Sequence, residues 1–129
     1  MTGIAVLLVD DQKPFRLAAK AVFSRLEGFE VVGEASSGEE AISLSDDLHP
    51  SLILMDVYMP GIGGIEATRR IVSVDPSVTV ILCSTYELAD LPSDAATSGA
   101  RGYVKKERLG PDTVTRIWSE RDSVTFATS

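Results

Sequence analysis

The chain has 129 residues, 44% of them hydrophobic, which suits one domain with a substantial core. Its 12 basic and 19 acidic residues leave a net charge of −7, which argues against a protein that works by coating DNA or an anionic membrane. One cysteine, Cys83, rules out an internal disulfide and a thiolate metal cluster, and no apolar run approaches the ~20 residues of a membrane span.

Apolar runs alternate with amphipathic stretches, the pattern of βα units around a parallel sheet. Ile4–Val9 is apolar without alternation, as a strand covered on both faces would be. A first helix is expected from Pro14, with Phe15, Ala18, Ala19, Val22 and Leu26 on its inner face, ending at Gly28. Glu30–Ala35 reads as a second strand, and its two glutamates suggest an edge position. Ser37-Gly38-Glu39-Glu40 opens a second helix with acids where its dipole favours them, and His49-Pro50 closes it.

Leu52–Asp56 is the third strand, followed by the turn-rich Met59–Gly64 and a helix over Ile65–Val74. Val78–Cys83 is a fourth strand, ending on Ser84. Leu91-Pro92 delays the next helix, leaving a short one that stops at Gly99. Gly102–Val104 is a brief last strand. A final helix starts near Pro111 and buries Val114, Ile117 and Trp118; residues 1–122 make one domain, and Asp122–Ser129 is expected to fray. The N-terminal stretch lacks a basic leader and a cleavage site, so a cytoplasmic location is expected.

Five strands alternating with helices predict an α/β doubly wound sheet of order 2-1-3-4-5, with ligands at the carboxyl ends of strands 1 and 3. Asp10 and Asp11 end the first strand and Asp56 ends the third, so three carboxylates converge there. At an effective dielectric of ~20 and about 5 Å, each like-charged pair costs roughly 3 kcal/mol. A stable protein keeps such a cluster if a cation neutralises it or one acid serves as a reagent. Carboxylates without a thiolate pair select a hard cation, Mg²⁺ or Mn²⁺, which binds few carboxylates together with phosphoryl oxygens. Asp56 could then take a phosphoryl group. Ser84, and either Lys105 or Lys106, end neighbouring strands and could meet that group.

In these features the chain resembles a response-regulator receiver domain of two-component signalling. The resemblance runs from Ile4 to about Arg121. It rests on Val9-Asp10-Asp11, on Met55-Asp56-Val57-Tyr58-Met59-Pro60 with Gly64, on Ser84, and on Gly99-Ala100-Arg101-Gly102-Tyr103-Val104-Lys105-Lys106. Gly61–Arg70 and the Gly-Ala-x-Gly-Tyr run are similar to the NarL/LuxR-type branch. The resemblance implies a CheY-like, flavodoxin-like fold with Asp56 as phosphoacceptor. It implies Mg²⁺ bound directly by Asp11, through water by Asp10, and by Asp56 and the Tyr58 carbonyl. Ser84 and Tyr103 match the switch pair, and family spacing selects Lys106 over Lys105 as the conserved-type lysine.

The resemblance implies a histidine kinase or phosphotransfer protein as donor, an undefined downstream protein, and a monomer or phosphorylation-dependent homodimer. No direct nucleic-acid or membrane binding is expected. With no DNA-binding domain after the last helix, a stand-alone receiver is expected, not an enzyme on an external substrate. Phosphorylation would draw Ser84 to the phosphoryl group and let Tyr103 move inward, switching the surface of the fourth helix, last strand and last helix. Glu107 follows the lysine where many receivers have proline, so a cis bond is not assumed. Tyr58 and Tyr86, two residues beyond Asp56 and Ser84, are expected to shield the phosphoryl group from water.

Two other readings are weaker. A phosphatase of the haloacid-dehalogenase type would want its nucleophile after strand 1 and a second Asp two residues later, where this chain has Gln12. A phosphorylation-independent interaction module would not need an intact acidic triad. Gly61-Ile62-Gly63-Gly64 lacks the spacing of a nucleotide loop, and an acidic site would repel a flavin phosphate.

Overall fold

The computed structural model describes residues 3–123 and 126–128. Strands β1 (Ile4–Val9), β2 (Phe29–Ala35), β3 (Leu52–Asp56), β4 (Thr79–Ser84), β5 (Gly102–Lys105) and β6 (Ala127–Thr128) form one sheet in the order β2-β1-β3-β4-β5-β6. Every pairing is parallel. The first five strands keep the order expected from the sequence. Four α-helices are present among the described residues: α1 (Lys13–Ser24), α2 (Gly38–Leu48), α3 (Gly63–Val74) and α4 (Pro111–Ser119).

The uniformly apolar strands make two cores because side chains alternate between faces. Leu7, Val9, Ile53, Met55, Val80, Leu82 and Tyr103 face the side covered by α2 and α3. Val6, Leu8, Leu52, Leu54, Ile81, Cys83 and Val104 face α1 and α4. On α1 the inner residues are Ala19 and Phe23, flanked by Phe15 and Val22 and by Leu26 just past the helix end, whereas Ala18 is exposed. The expected stripe was therefore right in period but off by one residue at Ala18. As the edge-strand reading implied, Glu34 of β2 meets solvent, and it pairs with Arg16 at 2.9 Å and Lys20 at 2.8 Å.

Helix boundaries follow local chemistry. The Ser37 side chain accepts a hydrogen bond from the Glu40 amide and caps α2, and His49 ends that helix with φ of 48°. Pro14 lies in the first turn of α1, and Pro111 starts α4. No helix among the described residues is long and apolar enough to cross a membrane.

The short helix expected before Gly99 does not form. Residues 85–101 instead make a strap of turns around a single 3-10 turn at Leu88–Asp90. Pro92 lacks an amide donor, and Thr97 and Ser98 spend their hydroxyls on the Asp94 and Ala95 carbonyls. Gly99 then turns the chain at φ of 102°. Of the end expected to fray, residues 124, 125 and 129 lie outside the described residues, and Ala127 and Thr128 pair with Gly102 and Tyr103.

Candidate functional site

Register builds the site. Val9 pairs with Met55, so Asp10 and Asp56 each end or follow a strand at the same sheet edge. Ser84 pairs with Lys105 one strand further along. Carboxylate oxygens of Asp10, Asp11 and Asp56 lie within 4.8 Å of one another. Asp10 and Asp56 are buried, at 2% and 4% exposure. The acids predicted to converge do converge.

The backbone around them is closely fitted. The Gln12 backbone N–H donates to Asp10 Oδ1 at 2.8 Å, and Arg16 Nη1 donates to the Asp10 carbonyl at 2.6 Å. At the other strand, Gly64 at the start of α3 packs onto β3. A Cβ there would sit 1.8 Å from the Asp56 carbonyl oxygen. The Gly64 amide donates to the Val57 carbonyl at 3.0 Å, which fixes the loop that leaves Asp56.

Lys106 completes the cluster. Its Nζ lies 2.7 Å from Asp10 Oδ2 and 3.7 Å from Asp56 Oδ1. The contact with Asp10 is made off the hydrogen-bond direction, so that buried oxygen has an ion pair but no aligned hydrogen bond. Nζ also lies 4.6 Å from the centre of the Phe15 ring. Burial acts to lower the Lys106 ammonium, but Asp10 and Asp56 outweigh it and hold it above the ordinary lysine value. Lys105 instead pairs with Glu87, and with Glu107 at 3.4 Å. No peptide bond among the described residues is cis, that between Lys106 and Glu107 included.

Burial is the main reason that the Asp56 carboxyl is pushed up to about 7, with Asp10 and Asp11 adding repulsion. Lys106 and a backbone hydrogen bond from Tyr58 offset only part of this. Such a carboxylate gains from a cation beside it. The donor set fits a hard divalent ion: three oxygen-bearing side chains at close range, and one buried oxygen without an aligned donor. Cys83 is buried, and burial raises its thiol, so it offers no competing thiolate.

Ser84 ends β4, as the sequence expectation had it. Ser84 Oγ lies 2.8 Å from the Tyr103 hydroxyl and accepts from the Tyr86 amide at 3.1 Å. Among the described residues no hydrogen bond joins it to Asp56. Tyr103 is 1% exposed, and its hydroxyl also donates to the Tyr86 carbonyl. The surface expected to switch has a strap of turns in place of its fourth helix. A buried phenol needs a partner for its hydroxyl, and the exit of β4 supplies several.

Tyr58 and Tyr86, two residues beyond Asp56 and Ser84, form an edge-to-face pair with ring centres 5.0 Å apart. Both are about half exposed. The sequence reasoning missed Arg16 and the place of Phe15 beneath Lys106. Their signal was position: both lie in the first turns of the helix that directly follows the acid pair.

Sequence comparison fits this geometry. Residues 6–117 match the family described as response regulator receiver domain. The chain is 40% identical to the response regulator GacA of Pseudomonas aeruginosa over 103 residues, covering 80% of this chain and 48% of that protein. It is 38% identical to the response regulator UvrY of Escherichia coli K12, covering 90% of this chain and 53% of that one. It thus spans about half the length of these curated relatives. The signal receiver domain of the putative response regulator NarL from Mycobacterium tuberculosis superposes with a TM-score of 0.85 at 25% identity, covering 95% of this chain and 99% of that one. The chain belongs to the response regulator receiver domain family, with its relatives in the NarL/LuxR-type branch.

Proposed function

We propose that Asp56 accepts a phosphoryl group from a phosphohistidine of a histidine kinase or phosphotransfer protein, in a reaction that needs Mg²⁺ or Mn²⁺. The convergence of three carboxylates with Lys106 carries this reading. Asp11, Asp56 and the Tyr58 carbonyl would hold the cation, with Asp10 reaching it through water. When bound, it neutralises the acids and screens the incoming phosphoryl oxygens from the attacking carboxylate.

An Asp56 oxygen forms the new O–P bond as the N–P bond of the donor breaks, and the imidazole nitrogen keeps the bonding pair and takes a proton. Lys106 holds an Asp10 oxygen at 2.7 Å. Its ammonium is already 3.7 Å from Asp56 Oδ1, so it can follow the charge to the phosphoryl group. Ser84 would donate its hydroxyl to a second phosphoryl oxygen, giving up the Tyr103 hydroxyl to do so. The consequence spreads to the strap of residues 85–101, β5 and α4, which is the surface offered to a downstream partner.

Labelling with radioactive acetyl phosphate tests the reading. Wild type with Mg²⁺ should take up label, whereas wild type in EDTA and Asp56→Ala with Mg²⁺ should not. Equal labelling of Asp56→Ala would reject Asp56 as the acceptor.

A further inference from the structure

The outer edge of β5 would end the sheet if the fold stopped at five strands, leaving a row of unpaired amides and carbonyls. Instead Ala127 pairs with Gly102 and Thr128 with Tyr103. Phe126 is partly buried against the cluster that contains Ala95, Ala100 and Tyr103. The strap contributes Leu91, Ala95 and Ala100 to the same face.

Tyr103 links this edge to the acidic site. Its backbone lies opposite Thr128. Its hydroxyl lies 2.8 Å from Ser84 Oγ, and 3.3 Å from the Ser84 carbonyl. Ser84 is the group that a phosphoryl on Asp56 would recruit. One residue thus holds the resident strand on one side and the switch hydroxyl on the other.

We propose that the outer edge of β5 is a strand-docking surface occupied in cis by residues 126–128, which are released when Asp56 is phosphorylated. The coupling rests on the phosphoacceptor reading given above. A ladder of two residues is close to the shortest that a sheet can hold, so a small displacement of Tyr103 is enough to open it. When the Ser84 hydroxyl turns to the phosphoryl oxygens, the Tyr103 hydroxyl loses its nearest side-chain partner. The ring then shifts and the pairing at Thr128 is lost. By reciprocity, anything that detaches residues 126–128 favours the phosphorylated state.

The full 129-residue chain can be followed by amide hydrogen exchange at residues 126–128, with and without beryllofluoride and Mg²⁺ as the phosphoryl mimic. Bound fluoride is read in parallel by fluorine NMR. The segment should be protected without the mimic, and that protection should fall about ten-fold or more once the adduct forms. Phe126→Asp should expose the segment from the start and form the adduct at about three-fold lower beryllofluoride concentration. Tyr103→Phe keeps the ring but lacks the hydroxyl, so adduct formation should leave its segment unchanged.

An unprotected segment in the free wild type, or unchanged exchange beside a clear bound-fluoride signal, would overturn the coupling while leaving the phosphoacceptor reading intact. Coupling that persists in Tyr103→Phe would overturn the route through the hydroxyl. Absence of any bound fluoride in wild type would reject the phosphoacceptor reading, and this inference with it.

Discussion

Lys106 Nζ lies 2.7 Å from Asp10 Oδ2, so the ammonium already sits among the carboxylates that a divalent cation would join. Removing it strands two buried acids. Lys106→Ala should therefore lose about 2–3 kcal/mol of stability in EDTA, since breaking a buried ion pair leaves an uncompensated charge. Mg²⁺ should recover more stability in the variant than it adds to wild type. Thermal unfolding with and without Mg²⁺ measures both effects; an unchanged melting temperature in EDTA would contradict the ion pair.

Asp56 sets a pH dependence of definite sign. Its carboxyl is raised from 3.8 to about 7 in the folded chain, chiefly by burial. Between those values the unfolded state has released its proton and the folded state has kept it. Stability in EDTA should thus fall as pH rises through this window, by at most ~1.4 kcal/mol per pH unit, and level off above it. Asp56→Asn should flatten that slope and be the more stable protein at pH 8. Denaturant unfolding across the range would show it.

Gly64 is a steric requirement of the site. With a Cβ placed 1.8 Å from the Asp56 carbonyl oxygen, Gly64→Ala forces α3 away from β3. It should lose about 3 kcal/mol or more, because backbone rather than a flexible side chain must yield. Chemical denaturation, together with acetyl phosphate labelling, would register both the lost stability and the displaced acceptor.

The Tyr58 and Tyr86 rings meet edge to face at 5.0 Å. If they keep water from the phosphoryl group, Tyr58→Asn and Tyr86→Glu should each shorten the lifetime of phosphorylated protein several-fold. Decay of radiolabel after removal of the donor gives that lifetime. No shortening in either variant would contradict shielding.

Much of this was legible before any coordinates. Ile4–Val9 and Leu52–Asp56 matched their strands because buried parallel strands are apolar without interruption. Once both were strands, parallel pairing brought Asp10 and Asp56 to one edge. Lys106 could be chosen over Lys105 only by family spacing, since both lie at a strand end where alternation gives no guide.

The strap of residues 85–101 was misread because Pro92 and Gly99 mark where a helix must stop, not whether the turns between them close into one. The pairing of Ala127 with Gly102 left no pattern in so short a segment. Ser84 was expected to make room for Tyr103 by moving, and no pattern in the sequence reveals that Ser84 and Tyr86 hold the Tyr103 hydroxyl in the free chain. Periodicity identifies the buried face of an element; it does not rank the hydrogen-bond partners of a buried phenol.

Identification of the modified residue tests the central claim most directly. After reaction with acetyl phosphate and Mg²⁺, borohydride reduces an aspartyl phosphate to homoserine, which mass spectrometry can locate. Homoserine at position 56, absent when EDTA replaces Mg²⁺, is the predicted result. Homoserine at another aspartate, or none at all in labelled protein, would contradict it.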